Sequence, residues 1–153
     1  MDNNTFIEKI TEMKDQMYMV AISLLKNHAD AEDIVQDSIL IAYEKLYMLK
    51  NENKFKPWIM RIIVNQAKMI IRKNSRVIYS EEIPEAIYED KNQDIWEIVL
   101  SMKSELSSVV VLYYEQGYSV KEISKIMSIP VGTVKSRLSK AREQLKKELE
   151  DAT

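Results

Sequence analysis

An all-α fold, arranged as two small helical domains, is predicted by three features of the chain. Its 153 residues hold only two glycines and three prolines, the residues that tight turns between strands usually require. The remainder is rich in Lys, Glu, Ile, Leu, Met and Ala, which favour helix. Apolar residues recur in steps of three and four, in two blocks separated by a polar, acidic stretch. A hydrophobic content of 46% supplies a packed core and argues against wholesale disorder.

The first helix is expected over 4–26, burying Phe6, Ile10, Met13, Met17, Val20 or Ala21, and Leu24. Asp30 suits the N-cap of a second helix, with Asp33 three residues on in a capping-box-like arrangement; this helix runs to about Tyr47 and buries Ile34, Ile41, Val35 and Ala42. Residues 51–56 are polar and read as a loop. Pro57 fits the first turn of a third helix, where its missing N–H costs nothing, and that helix continues to about Lys73 over Ile59, Ile62 or Ile63, Ala67 and Ile70. From 74 to 93 the period is lost. The pattern returns from about Asp94 as one helix through Ile95, Val99, Met102, Leu106 and 109–114, ended by Gly117. Ser119 opens a short helix to about Met127, Ser128-Ile129-Pro130 turns the chain, and a last helix covers about 131–149. The expected division is a domain over 1–76, a flexible acidic linker over 77–93 and a domain over 94–153.

The absence of cysteine excludes disulfides and thiolate metal sites. No basic-then-apolar leader begins the chain and no apolar run approaches the ~20 residues that cross a bilayer, so a cytoplasmic location is expected. His28, the single histidine, reads as a surface residue. Asp30, Glu32, Asp33 and Asp37 lack the glycine and spacing of a calcium loop, and no glycine-rich phosphate loop occurs. No catalytic residue, metal, cofactor or small-molecule substrate is expected.

The net charge of −2 conceals a strong segregation. Residues 1–76 carry +2, 77–98 carry −6 and 99–153 carry +2. Residues 54–76 hold seven basic side chains and no acid; residues 131–147 hold six against Glu143 alone. A phosphate backbone responds to such local potential and not to the overall charge.

Residues 119–142, SVKEISKIMSIPVGTVKSRLSKAR, have the pattern of a helix-turn-helix. Ile123, Ile126, Ile129, Val134, Leu138 and Ala141 pack two helices across a short turn. The second helix then presents Thr133, Lys135, Ser136, Ser139, Lys140 and Arg142 outward: short polar groups that approach base edges, and cations that meet purine acceptors or phosphates. A solvated basic hairpin has the same spacing, and the spacing alone leaves the two readings about even. On the third helix Arg61, Asn65, Lys68 and Arg72 share a face opposite the isoleucines, with Phe55, Lys56 and Trp58 at its entry. Charge for phosphates, rings for stacking and an amide for a base edge are what single-stranded DNA requires. Trp58 is expected in the core ahead of direct stacking. On the second helix Asp33, Gln36 and Asp37 share a polar face suited to a basic partner.

These stretches resemble the sigma-70 family of bacterial RNA polymerase sigma factors, in its small extracytoplasmic-function group. IPVGTVKSRLSKAR is similar to the recognition helix of region 4, FKPWIMRIIVNQAK to regions 2.3 and 2.4, and DAEDIVQDSILIAYEKL to region 2.2. The chain departs from the family at Lys103 and Ser107, where proline and arginine are usual, and at Ser124 and Ser128, where alanine and glycine are usual. The resemblance implies −35 contacts from Lys135, Ser136, Ser139 and Lys140, with Arg137 and Arg142 on phosphates or in packing. It also implies capture of melted −10 DNA led by Asn65, then Lys68 and Arg61, and a grip on the polymerase β′ clamp through Asp33, Gln36 and Asp37. Region 4 of the family also docks on the β flap. The linker stands where larger members carry a folded region 3; fully extended it reaches about 65–70 Å. The implied partners are core RNA polymerase, promoter DNA and an anti-sigma factor, often membrane-anchored. A conventional helix-turn-helix regulator is the alternative, and it predicts a palindromic operator bound without polymerase.

Overall fold

The computed structural model describes residues 1–74 and 93–151. The expected linker therefore lies outside the described residues, save for its last position. Among the described residues every regular element is helical.

In the N-terminal half, α1 (Asn3–Leu25), α2 (His28–Glu44) and α3 (Phe55–Lys73) pack pairwise. Asp2 caps α1 by accepting from the Thr5 N–H at 2.8 Å. Lys26 ends that helix in the left-handed region at φ 58°. This tight reversal leaves Asn27 extended, and its side chain accepts from the Asp30 N–H at 2.9 Å. Asn27 is thus the cap of α2, and Asp30 lies in its first turn. The expected cap was three residues late because the left-handed turn at a lysine carries no sequence signal. A single 3-10 turn, Leu46–Met48, follows α2, and another, Glu52–Lys54, leads into α3 two residues ahead of Pro57.

All the apolar positions expected on α1 are buried, but so is every residue from 19 to 25. The cause is a second contact. One side of α1 meets α2 and α3, and its C-terminal half also meets α5 of the other half. Ile34, Val35, Ala42, Ile59, Ile63 and Ala67 complete the N-terminal core, whereas Ile41, Ile62 and Ile70 are half-buried at its margin.

The C-terminal half comprises α4 (Gln93–Ser101), α5 (Ser104–Val110), a π-helical turn (Val111–Glu115), α6 (Val120–Met127) and α7 (Val131–Asp151). The single helix expected from 94 to 116 is broken at Met102-Lys103. Lys103 is extended at ψ 145°, and Ser104 Oγ donates to the Leu24 carbonyl of α1 at 2.6 Å, so a tertiary contact holds the break. Gly117, at φ +78°, closes the π turn as its position predicts. Ser119 and Glu122 form a capping box at the start of α6: Glu122 N–H donates to Ser119 Oγ at 3.1 Å and Ser119 N–H to Glu122 Oε1 at 3.0 Å. Ile123, Ile126, Val134 and Leu138 are buried where α7 packs with α6 and α5, which gives the helix-turn-helix its core, and Ala141 is buried at the groove between α4 and α7.

Both halves contribute to one hydrophobic cluster. Leu138, 1% exposed, lies in the part of it beneath α7. Leu138→Ala is expected to lower unfolding stability by about 2–5 kcal/mol, read from the midpoint of a urea titration. A loss well under 1 kcal/mol would contradict the packing of α7 described here.

Candidate nucleic-acid interface

The stripe on α3 is present as a surface. Arg61, Asn65 and Arg72 are exposed, and Lys68 is half-buried on the same face. Steps of four, three and four place them together because Ile59, Ile63 and Ala67 occupy the opposite, buried face. Lys56 is exposed at the helix start. Phe55 is not available for a base: it is 1% exposed and its ring stands edge-on to Phe6, with centroids 5.9 Å apart. The apolar ring is worth more in the core than at a wet entry. Trp58, expected in the core, is half-buried at its edge, with its ring centroid 6.0 Å from that of Phe55. Exposed apolar groups are found on α3 itself, at Met69 and Ile71, and on the 3-10 turn Leu46–Met48, where Tyr47 is 83% and Met48 57% exposed. Tyr47 was expected at the end of the second helix; in the apolar run Leu46–Leu49, spacing does not tell which side chains are left outside.

On α7, Lys135, Ser136, Ser139 and Lys140 are exposed, and Thr133 is half-buried. The two arginines are engaged within the protein. Arg137 reaches Glu105 at 3.5 Å. Arg142 Nε donates to Tyr114 Oη at 2.7 Å, and its guanidinium lies 5.8 Å from that ring's centre. On α2, Asp33, Gln36 and Asp37 are exposed on one face, which continues one turn further into Leu40, 64% exposed. The sequence reading left Leu40 out of that face. Between α4 and α7 runs an apolar groove of about 690 Å³ walled by Trp96, Val99, Tyr114, Leu145 and Leu149.

The two halves meet through a junction that also touches the candidate interface. Lys26 Nζ donates to the Leu100 carbonyl at 2.7 Å, and Gln116 Nε2 to the Gln16 carbonyl at 3.0 Å. Lys68 Nζ donates to the Met127 carbonyl at the end of α6. One member of the α3 stripe is therefore held by the helix-turn-helix. Burial, and then repulsion from Arg137, Arg72 and Arg61, holds the Lys68 ammonium below its ordinary pKa. Burial alone pushes Lys26 down to about 7.

The chain matches two family models, Sigma-70 region 2 over residues 10–77 and Sigma-70 region 4 over residues 92–145. It is 29% identical to ECF RNA polymerase sigma factor SigW of Bacillus subtilis, over 98% of this chain and 91% of that one. It is 30% identical to RNA polymerase sigma factor SigV of the same organism, over 91% and 90%. The sigma factor RpoE of Bartonella quintana, solved in complex with the anti-sigma factor NepR, superposes with a TM-score of 0.82 and 27% identity, covering 95% of this chain and 97% of that one.

The Lys26 contact makes stability depend on pH. In the folded chain the amine loses its proton near 7, and in the unfolded chain near the ordinary 10.5. Between those values the unfolded chain binds more protons, so stability rises with pH; below about 7 the contribution is flat. The urea midpoint is expected to climb from pH 7 to pH 9, and Lys26→Met to flatten that climb. An equal climb in the variant would show that Lys26 is not its source.

Proposed function

The chain belongs to the extracytoplasmic-function group of the sigma-70 family of RNA polymerase sigma factors, and on that premise we propose which of its surfaces carries each step of initiation. A sigma factor directs core RNA polymerase to specific promoters and promotes opening of the DNA. Here residues 1–76 act as region 2 and residues 94–153 as region 4, with 77–93 spanning between them.

The exposed face of α2, Asp33, Gln36 and Asp37 together with Leu40, grips the β′ clamp. Carboxylates beside one exposed leucine suit a partner that is basic with an apolar centre. The α3 stripe takes the melted −10 strand: Arg61, Lys68, Arg72 and Lys56 hold phosphates, and the Asn65 amide reads the edge of an unstacked base. Tyr47 offers an exposed ring for stacking and takes the part first given to Phe55. Thr133, Lys135, Ser136, Ser139 and Lys140 face the −35 element. Arg142, tied to Tyr114, supports α7, and Arg137 is shared between Glu105 and the phosphates. The β flap is assigned to the apolar groove between α4 and α7.

The single observation that carries this reading is the α3 face, where three cations flank one exposed amide opposite the buried Ile59, Ile63 and Ala67. Lys68 is engaged by α6, so strand capture requires the two halves to separate. A cognate anti-sigma factor, of the kind often anchored in a membrane, would act by holding them together; the similar sigma factor of Bartonella quintana was solved in complex with the anti-sigma factor NepR. The protein works in the cytoplasm, where the polymerase is. None of the helices among the described residues is long and apolar enough to cross a membrane.

Run-off transcription with core polymerase tests the whole reading: initiation at defined genomic sites is expected, and none at any site would refute it. Asn65→Ala is expected to weaken promoter opening by about 1–3 kcal/mol, seen as lost permanganate reactivity, while core binding stays unchanged. Lys135→Ala and Lys140→Ala should each lower the salt-dependence slope of promoter binding, by about one unit for a phosphate contact. An unaltered slope with altered base preference would move that lysine from phosphate to base contact.

A further inference from the structure

The packing of α3 against α6 sets like charge against like charge. Lys54 and Arg61 enter a crevice of about 360 Å³ from the N-terminal half, and Lys121 and Lys125 enter it from α6. Glu122 is the one carboxylate on its wall, and its Oε1 already accepts the Ser119 N–H at 3.0 Å. Among the described residues, none of the four cations forms an ion pair. Just beyond the crevice Lys68 feels repulsion from Arg61 and Arg72 on its own helix and from Arg137 on α7. The junction is closed by apolar packing and bonds to backbone carbonyls, and so it gathers positive charge without neutralising it.

We propose that this crevice binds a compact polyanion, a polyphosphate chain either free or carried on a nucleoside, and that the bound anion holds the two halves together. The chemistry follows from the lining. The arginine fork pairs with phosphate oxygens in parallel, and lysines on flexible stems supply point charges around them. The volume suits a small ligand and excludes a duplex. Half-buried Trp58 on the same wall offers a ring against which a nucleoside base can lie. The crevice exists only while α3 and α6 are in contact, so a ligand that fills it favours the closed arrangement in proportion to its concentration over its Kd. Through that linkage it would withdraw Arg61 and Lys68 from a melted strand. The effect is distinct from promoter recognition and is measurable on the free chain.

The test is calorimetric titration of the full-length chain, without polymerase or DNA, using inorganic tripolyphosphate and, separately, a nucleoside triphosphate. One saturable site per chain is expected, weakened by added salt. Lys54→Gln and Lys125→Gln are exposed substitutions in different halves, and each is expected to reduce affinity about threefold or more. Lys147→Gln, outside the crevice, should leave binding unchanged. The ligand should also raise the urea midpoint and lower the radius of gyration in small-angle scattering. Equal affinity for the two ligands identifies the phosphate chain as sufficient, and tighter nucleoside triphosphate binding identifies the nucleoside as carrier; both support the site. Absence of saturable binding, several equivalent ligands per chain, or loss of affinity on substituting only one half would overturn the proposal. The failure of transcription assays would leave this result untouched.

Discussion

The structure depends on α1 being buried on more than one side. A surface helix hides one stripe, about three to four residues in every two turns. Here the run from 19 to 25 is buried throughout, because α2 and α3 take one side and α5 takes another. That double contact is what converts two small helical units, each with a modest core of its own, into one hydrophobic cluster. Side chains of Lys26, Lys68 and Ser104 donate across the seam to carbonyls in the last turns of helices, where such acceptors are free, while Gln116 donates to the mid-helix carbonyl of Gln16 and leaves its own buried Oε1 without a partner among the described residues.

The seam is stable without being charge-matched. Its hydrogen bonds run from cations and neutral donors to backbone oxygens, and the cations of α3 and α6 face each other across a crevice. Water screens the exposed cations of the crevice, and the repulsion is felt most by half-buried Lys68. A junction built this way is closed by hydrophobic burial and opposed by electrostatics. Arg61 and Lys68, crowded by like charge in the closed arrangement, are among the cations that the proposed open one places on phosphates.

Residue economy on α7 illustrates the division between reading and support. Val134, Leu138 and Ala141 anchor the helix, Arg142 braces it through Tyr114, and the exposed lysines and serines are those proposed to meet DNA. Tyr114, which braces Arg142, lies within the π turn Val111–Glu115.

The sequence by itself determined the helical class, most helix positions, and which residues of α3, α6 and α7 lie inside. These follow from spacing, and Ile59, Ile63, Ala67, Ile123, Val134 and Leu138 are buried where their period puts them. The capping box at Ser119 and the stop at Gly117 were equally legible, because each is a local rule about a few adjacent residues. Tertiary structure alone decided the rest. The break at Lys103 exists because Ser104 bonds to α1, 80 residues away. Asn27, not Asp30, caps α2 because Lys26 turns left-handed where α1 meets α4. Phe55 leaves the interface for the core, and Tyr47 stands out from it, because burial is settled by which surfaces meet. Periodicity tells which face of a helix is apolar. It does not tell how many neighbours that helix will have, and α1 has neighbours in both halves.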